Sequence, residues 1–228
     1  MLSDALLVAG KDLRIELRSK VALNQVAPFA ACVLILFGFA LGPGRAALEP
    51  AAPGLFWVTV LLSALLAVHR SMSIESDDDA RDGLRLSGLD PGGIFLGKVL
   101  AIAVQLLALE VALAVGIAVF YGAHLGGALV LVAACLLASM GVAAAGAIYG
   151  VAAHGSRARE TLLPLLFLPV VAPVLLAGTK AWQEALTSAP GAGRSAGAGS
   201  GWLIVLGVFA LVYLAVGIVA FEPLLEDS

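Results

Sequence analysis

Residues 99–121 read VLAIAVQLLALEVALAVGIAVFY, 23 positions interrupted by one glutamine and one glutamate. A helix of about 20 apolar residues crosses the hydrocarbon core of a bilayer, whereas a buried helix of a soluble domain rarely needs so long a run. Five further stretches follow the same pattern: 21–41, 51–68, 128–153, 162–178 and 202–221. Of the 29 charged residues in the chain, Glu110 alone falls inside any of the six. No run alternates apolar and polar residues over about ten positions, as a membrane barrel strand requires. The pattern predicts an all-α integral membrane protein with six transmembrane helices.

Composition agrees. Of 228 residues 61% are hydrophobic before any of the 26 glycines is counted, and only 13% are charged. Soluble domains have roughly 45–50% apolar residues with glycine included, and about 25% charged. That balance argues against a soluble enzyme or a disordered regulator. The net charge of −3 offers no basic surface for nucleic acid. Cys32 and Cys135 lie 103 positions apart within apolar runs, a spacing that suits neither a disulfide framework nor a zinc site.

The break between the third and fourth spans is placed at residues 121–127, YGAHLGG, where three glycines interrupt the run. Tyr121 is expected there at headgroup level. Basic residues number ten on the side holding the N terminus, against three (Arg45, Lys180 and Arg194) on the other. By the positive-inside rule both termini are cytoplasmic, with a short tail at 222–228. Residues 1–20 form a separate unit. Leu2, Leu6, Ala9, Leu13 and Leu17 share one helical face, while Lys11, Arg14 and Arg18 occupy another. An amphipathic helix lying in the cytoplasmic interface is expected.

Several motifs dissolve on inspection. Gly92 to Lys98 spells G-x-x-x-x-G-K, but Val99 follows where a phosphate loop needs a hydroxyl, and a membrane span comes next. His69, His124 and His154 stand singly at three loops. No catalytic, cofactor-binding or metal-ligating set is expected, and any ATP hydrolysis is expected in another chain. Pro164, Pro169 and Pro173 each remove a backbone donor from the fifth span. They suit a kinked helix beside a path or hinge, and a structural kink equally. The loop 69–98 carries Glu75, Asp77, Asp78, Asp79 and Asp82, followed by Gly83, and reads either as a solvated loop or as a docking segment for a cytoplasmic partner.

Glu110 lies roughly 18 Å along the third span from Lys98, at about 1.5 Å per residue. A charge at that depth costs about 2.5–3.5 kcal/mol on insertion scales, so the side chain is expected to face the bundle and find a partner. Gln105, Thr59, Ser63 and Ser139 are the candidates by depth. The pair could fasten helices together or form a polar element of a transport path.

The segments Ala52-Pro53-Gly54-Leu55-Phe56-Trp57-Val58 and Leu61 to Arg70 resemble the haem exporter protein B (CcmB) family. The likeness continues through Asp82-Gly83, Gly97-Lys98, Glu110, Leu163-Pro164, Pro169, Pro173 and Leu175-Leu176-Ala177, covering about residues 50–178. It departs in the run Asp77-Asp78-Asp79 and in Gly88-Leu89-Asp90-Pro91. The resemblance implies a type-2 ABC exporter permease, coupled to a separate cytoplasmic ATPase subunit and acting with a haem-handling membrane subunit in c-type cytochrome biogenesis. It implies haem as a transported or handled substrate, leaves room for a homodimer, and places the chain in the bacterial inner membrane. The residues 75–83 named above then form the ATPase-coupling loop. A generic type-2 permease for a lipid, drug or peptide, and a non-transporting scaffold, are the alternatives.

Overall fold

The computed structural model describes residues 1–19, 27–42, 45–76, 88–122, 127–152, 159–187 and 199–226. Seven helices account for nearly all of these: α1 (Leu2–Ser19), α2 (Ala27–Ala40), α3 (Arg45–Ser76), α4 (Pro91–Tyr121), α5 (Ala128–Ala152), α6 (Arg159–Thr187) and α7 (Ser200–Glu226). Five of them, α3 to α7, are long and apolar enough to cross a membrane. The chain is an all-α, multi-pass membrane protein.

The sixth expected span, 21–41, is represented by α2. Its 14 described residues reach about 21 Å, short of a hydrocarbon core of about 30 Å, and residues 20–26 lie outside the described part. Elsewhere the helices outrun the apolar stretches. The loop expected over 69–98 is narrower, because α3 continues to Ser76 and α4 begins at Pro91. Asp90 caps α4, its carboxylate accepting from the Gly93 amide at 2.8 Å, and Pro91 occupies the first turn, where no amide partner is needed. The tail expected at 222–228 is largely the last turn of α7. A membrane signal reports hydrophobicity; a helix stops only where its caps and breakers say so.

Successive long helices run in opposite directions, as the contacts at their ends show. The end of α6, around Ala181 and Ala185, meets the starts of α5 (Gly127) and α7 (Gly199). Phe95, near the start of α4, packs on Phe221 at the end of α7. Helix α5 sits at the centre, touching α3, α4, α6 and α7. Residues 141–147, GVAAAGA, are all buried, and such small side chains let helix backbones approach closely. The outer faces of α2 and α7 present exposed aliphatic and aromatic side chains such as Phe39 and Val219.

Helix α1 does not turn its leucines to the bundle. It buries Ala5, Val8, Ala9, Asp12 and Glu16, and leaves Leu2, Leu6 and Leu17 exposed. It packs along the first turns of α4, with Met1 and Asp4 at Gly93 and with Ala5 and Val8 at Gly97. A Cβ at position 97 would stand 2.6 Å from Val8 Cβ and 2.8 Å from the Ala5 carbonyl. The glycines of the discarded phosphate-loop pattern are therefore the floor on which α1 rests. Lys98, beside that floor, is buried, as are Asp12 and Glu16 on the packed helix. Asp4 is held below the usual carboxylate range by hydrogen bonds from the Met1 amino group and Ser3.

Candidate functional site

Glu110 is 2% exposed, and its Oε1 accepts a 2.7 Å hydrogen bond from the Ser139 hydroxyl of α5. Of the four partners expected by depth, only Ser139 makes this bond. Thr59 instead donates to the Leu55 carbonyl of its own helix. Ser63 is buried on α3, and its hydroxyl has no partner among the described residues. Gln105 is half-buried and stands five residues before Glu110, about 140° around α4 at about 3.6 residues per turn, so the two do not share a face.

The Glu110 carboxyl also shares a hydrogen bond with the Cys135 thiol of α5, which in turn meets the Trp182 indole. Glu110 belongs to the lining of a cavity of about 210 Å³ between α4 and α5. Most of the wall is aliphatic, and Cys135 and Trp182 join Glu110 as its polar members. Trp182 was not singled out by its sequence position. Tertiary packing stacks it on Phe56, with ring centroids 3.9 Å apart, and sets Trp57 edge-on at 6.2 Å. Gly178, one turn before Trp182, makes room: a Cβ there would stand 2.6 Å from the Trp57 ring. Two tryptophans 125 positions apart thus form one aromatic block behind the cavity. Trp202 is separate, its indole donating to Glu184 at 2.9 Å.

The remaining expected positions fall elsewhere. Glu75 lies in the last turn of α3. Asp77, Asp78, Asp79, Asp82 and Gly83 lie outside the described residues. Pro164, Pro169 and Pro173 are all within α6, which continues through them. Pro164 is half-buried, and the other two are exposed. Each leaves a carbonyl one turn earlier without its usual amide. Tyr121 is the last residue of α4. It is buried, and its hydroxyl donates to the Leu34 carbonyl at 2.8 Å, fastening the end of α4 to α2.

The sequence is similar to those of known proteins, in one case over 94% of the chain. The family model described as CcmB protein matches residues 3–227. Heme exporter protein B of Paracoccus denitrificans is 32% identical over 182 residues, covering 78% of this chain and 82% of that protein. The protein of the same name in Pseudomonas aeruginosa is 29% identical over 220 residues, covering 94% of each. That of Escherichia coli K12 is 33% identical over 90 residues, 40% of this chain.

Proposed function

The chain belongs to the CcmB protein family, and from that premise we propose that it is the membrane permease subunit of a haem exporter serving cytochrome c biogenesis. The observation that carries this reading is the family match over residues 3–227, which spans all seven helices. It ranks this reading above a generic lipid, drug or peptide exporter and above a scaffold.

The finer parts of the reading follow from the chain's own chemistry. ATP hydrolysis belongs to a separate cytoplasmic subunit, since the glycines of the only phosphate-loop-like pattern are occupied in seating α1. That subunit engages the acidic segment from Glu75 to Gly83, which joins α3 to α4 and so has leverage on two helices of the core. Haem is the substrate handled, in concert with a second membrane subunit, and the chain lies in the inner membrane with its N terminus inside. Glu110 and Ser139 supply the buried polar pair that a moving bundle can break and remake, and the prolines of α6 supply a helix that bends at low cost.

Complementation tests the proposal. In a bacterium lacking its own haem exporter protein B, this chain should restore covalent haem on c-type cytochromes, read by haem staining of gels. The purified complex should hydrolyse ATP in lipid only when this subunit is present. Continued absence of covalent haem in the strain that expresses this chain, or ATPase activity indifferent to this chain, would overturn the reading.

A further inference from the structure

The side chains of α1 carry three acids, Asp4, Asp12 and Glu16, and three bases, Lys11, Arg14 and Arg18, so the helix is neutral by composition. Its folded surface is not. Asp12 and Glu16 are buried, and Asp4 is tied to the amino group of Met1 at 3.0 Å. Arg14 and Arg18 are exposed and make no ion pair among the described residues. Lys11 is half-exposed and bridges to Asp12 at 3.2 Å. Packing has hidden negative charge and left positive charge outside.

The bases share their face with apolar side chains. Lys11, Arg14 and Arg18 line a groove of about 390 Å³ together with Leu6, Leu7 and Ile15. Leu2, Leu6 and Leu17 are exposed in a strip which, at about 3.6 residues per turn, lies between the buried face and the basic one. Water suits the arginines and strands the leucines; hydrocarbon does the reverse. Both strips are satisfied together at the boundary between headgroups and acyl chains. The depth agrees. Helix α1 is seated at Gly93 and Gly97, in the first two turns of α4, and the apolar run of α4 begins only at Val99. At that level the anion at hand is the lipid phosphate, which a guanidinium pairs with in a two-pronged hydrogen bond.

We propose that Arg14 and Arg18, with Lys11 at their flank, bind the phosphate groups of anionic phospholipids while Leu2, Leu6 and Leu17 enter the acyl layer, so that α1 docks on a negatively charged leaflet. The inference uses the chain's place in a membrane and not its cargo.

The test is photo-crosslinking of the full chain in nanodiscs of equimolar phosphatidylcholine and phosphatidylglycerol, one or the other carrying a diazirine, with adducts on α1 peptides counted by mass spectrometry. Each basic residue beside an anionic surface favours it about fivefold, so phosphatidylglycerol adducts on α1 should exceed phosphatidylcholine adducts by about fivefold or more. Arg14→Gln with Arg18→Gln should bring that ratio near one at unchanged helicity. Arg14→Lys with Arg18→Lys, which keeps the charge, should retain most of it, and Lys180→Gln, an exposed base of α6, should leave it unchanged. Equal labelling by the two lipids, no lipid adduct on α1, a ratio indifferent to the Gln pair, or an equal loss with Lys180→Gln would each overturn the proposal. So would loss of the preference in excess free glycerol phosphate, which would make this a site for a soluble phosphate ester. If Arg14→Glu with Arg18→Glu detaches the ATPase while the lipid ratio holds, the face belongs to that subunit and the proposal fails. Cytochrome maturation does not enter the readout, so failure here leaves the haem-exporter reading standing.

Discussion

Ser139→Ala removes the donor that reaches Glu110 Oε1 at 2.7 Å. Interhelical hydrogen bonds in membranes are worth about 0.6 kcal/mol on average and up to about 1.7 kcal/mol. The variant should therefore unfold a few degrees lower in a thermal melt in detergent, at about 2–4 °C per kcal/mol for a chain of this size. Glu110→Leu should behave differently from its conservative counterpart. Leucine strands the Ser139 hydroxyl in the core, at a cost of about 1–3 kcal/mol. The double variant Glu110→Leu with Ser139→Ala removes both polar groups and should be more stable than Glu110→Leu alone, because an apolar pair leaves nothing unsatisfied. A double variant less stable than both single ones would show that the pair holds the helices by more than this bond. Glu110→Gln keeps the size and the hydrogen-bonding capacity and loses only the ionisable proton. Full cytochrome maturation with Gln assigns Glu110 a structural role; normal folding with lost maturation assigns its ionisation a role in transport.

Helix α1 is held to α4 by close approach at Gly93 and Gly97. Gly97→Ile places a branched side chain where the Ala5 carbonyl and Val8 already stand, and overpacking of this kind costs about 1–3 kcal/mol. The docked state of α1 should weaken by roughly 5–150-fold on that scale. Limited trypsin digestion reads this as faster cleavage after Lys11 and Arg14. Gly10→Ala is the control, since nothing lies within 4 Å of a Cβ there, and its cleavage rate should match the parent. Equal rates for Gly97→Ile would mean that α1 is held by its buried Asp12 and Glu16 rather than by the small-residue floor. The amphipathic pattern of α1 was readable from its leucines, but the face it buries was not. Alanine and valine face the first turns of α4 because a tight helix pair needs short side chains at the contact, and leucine is too large for that seat.

The molecule's orientation in its membrane has a direct test. Glu49 is exposed near the start of α3, on the side opposite α1. Glu49→Cys, in a Cys32→Ser, Cys135→Ser background, should react with an impermeant thiol reagent in intact cells, and Lys11→Cys only after lysis. The opposite result would invert the topology. At the far end, reversing Asp77, Asp78, Asp79 and Asp82 together should detach or uncouple the ATPase, measured by co-purification and by hydrolysis in lipid. Asp78 alone should matter little, since an exposed charge pair contributes about 0–1 kcal/mol.

Membrane class, helix content and the isolation of Glu110 are local properties, written in runs of 17 to 26 residues, and the sequence alone determined them. A bilayer demands that each span satisfy its own backbone, so the helices declare themselves before they have neighbours. What those helices do to each other is not local. Ser139 rather than Thr59 or Ser63 meets Glu110, and Trp182 reaches Phe56 and Trp57 from the other end of the chain, because of how α3, α4, α5 and α6 pack. Those choices depend on helix rotation, and an apolar sequence constrains rotation weakly when most of its faces are equally hydrophobic. The tertiary structure decided them through small residues: Gly97 set α1 on α4, Gly178 admitted the Trp57 ring, and the run 141–147 let α5 become the centre of the bundle.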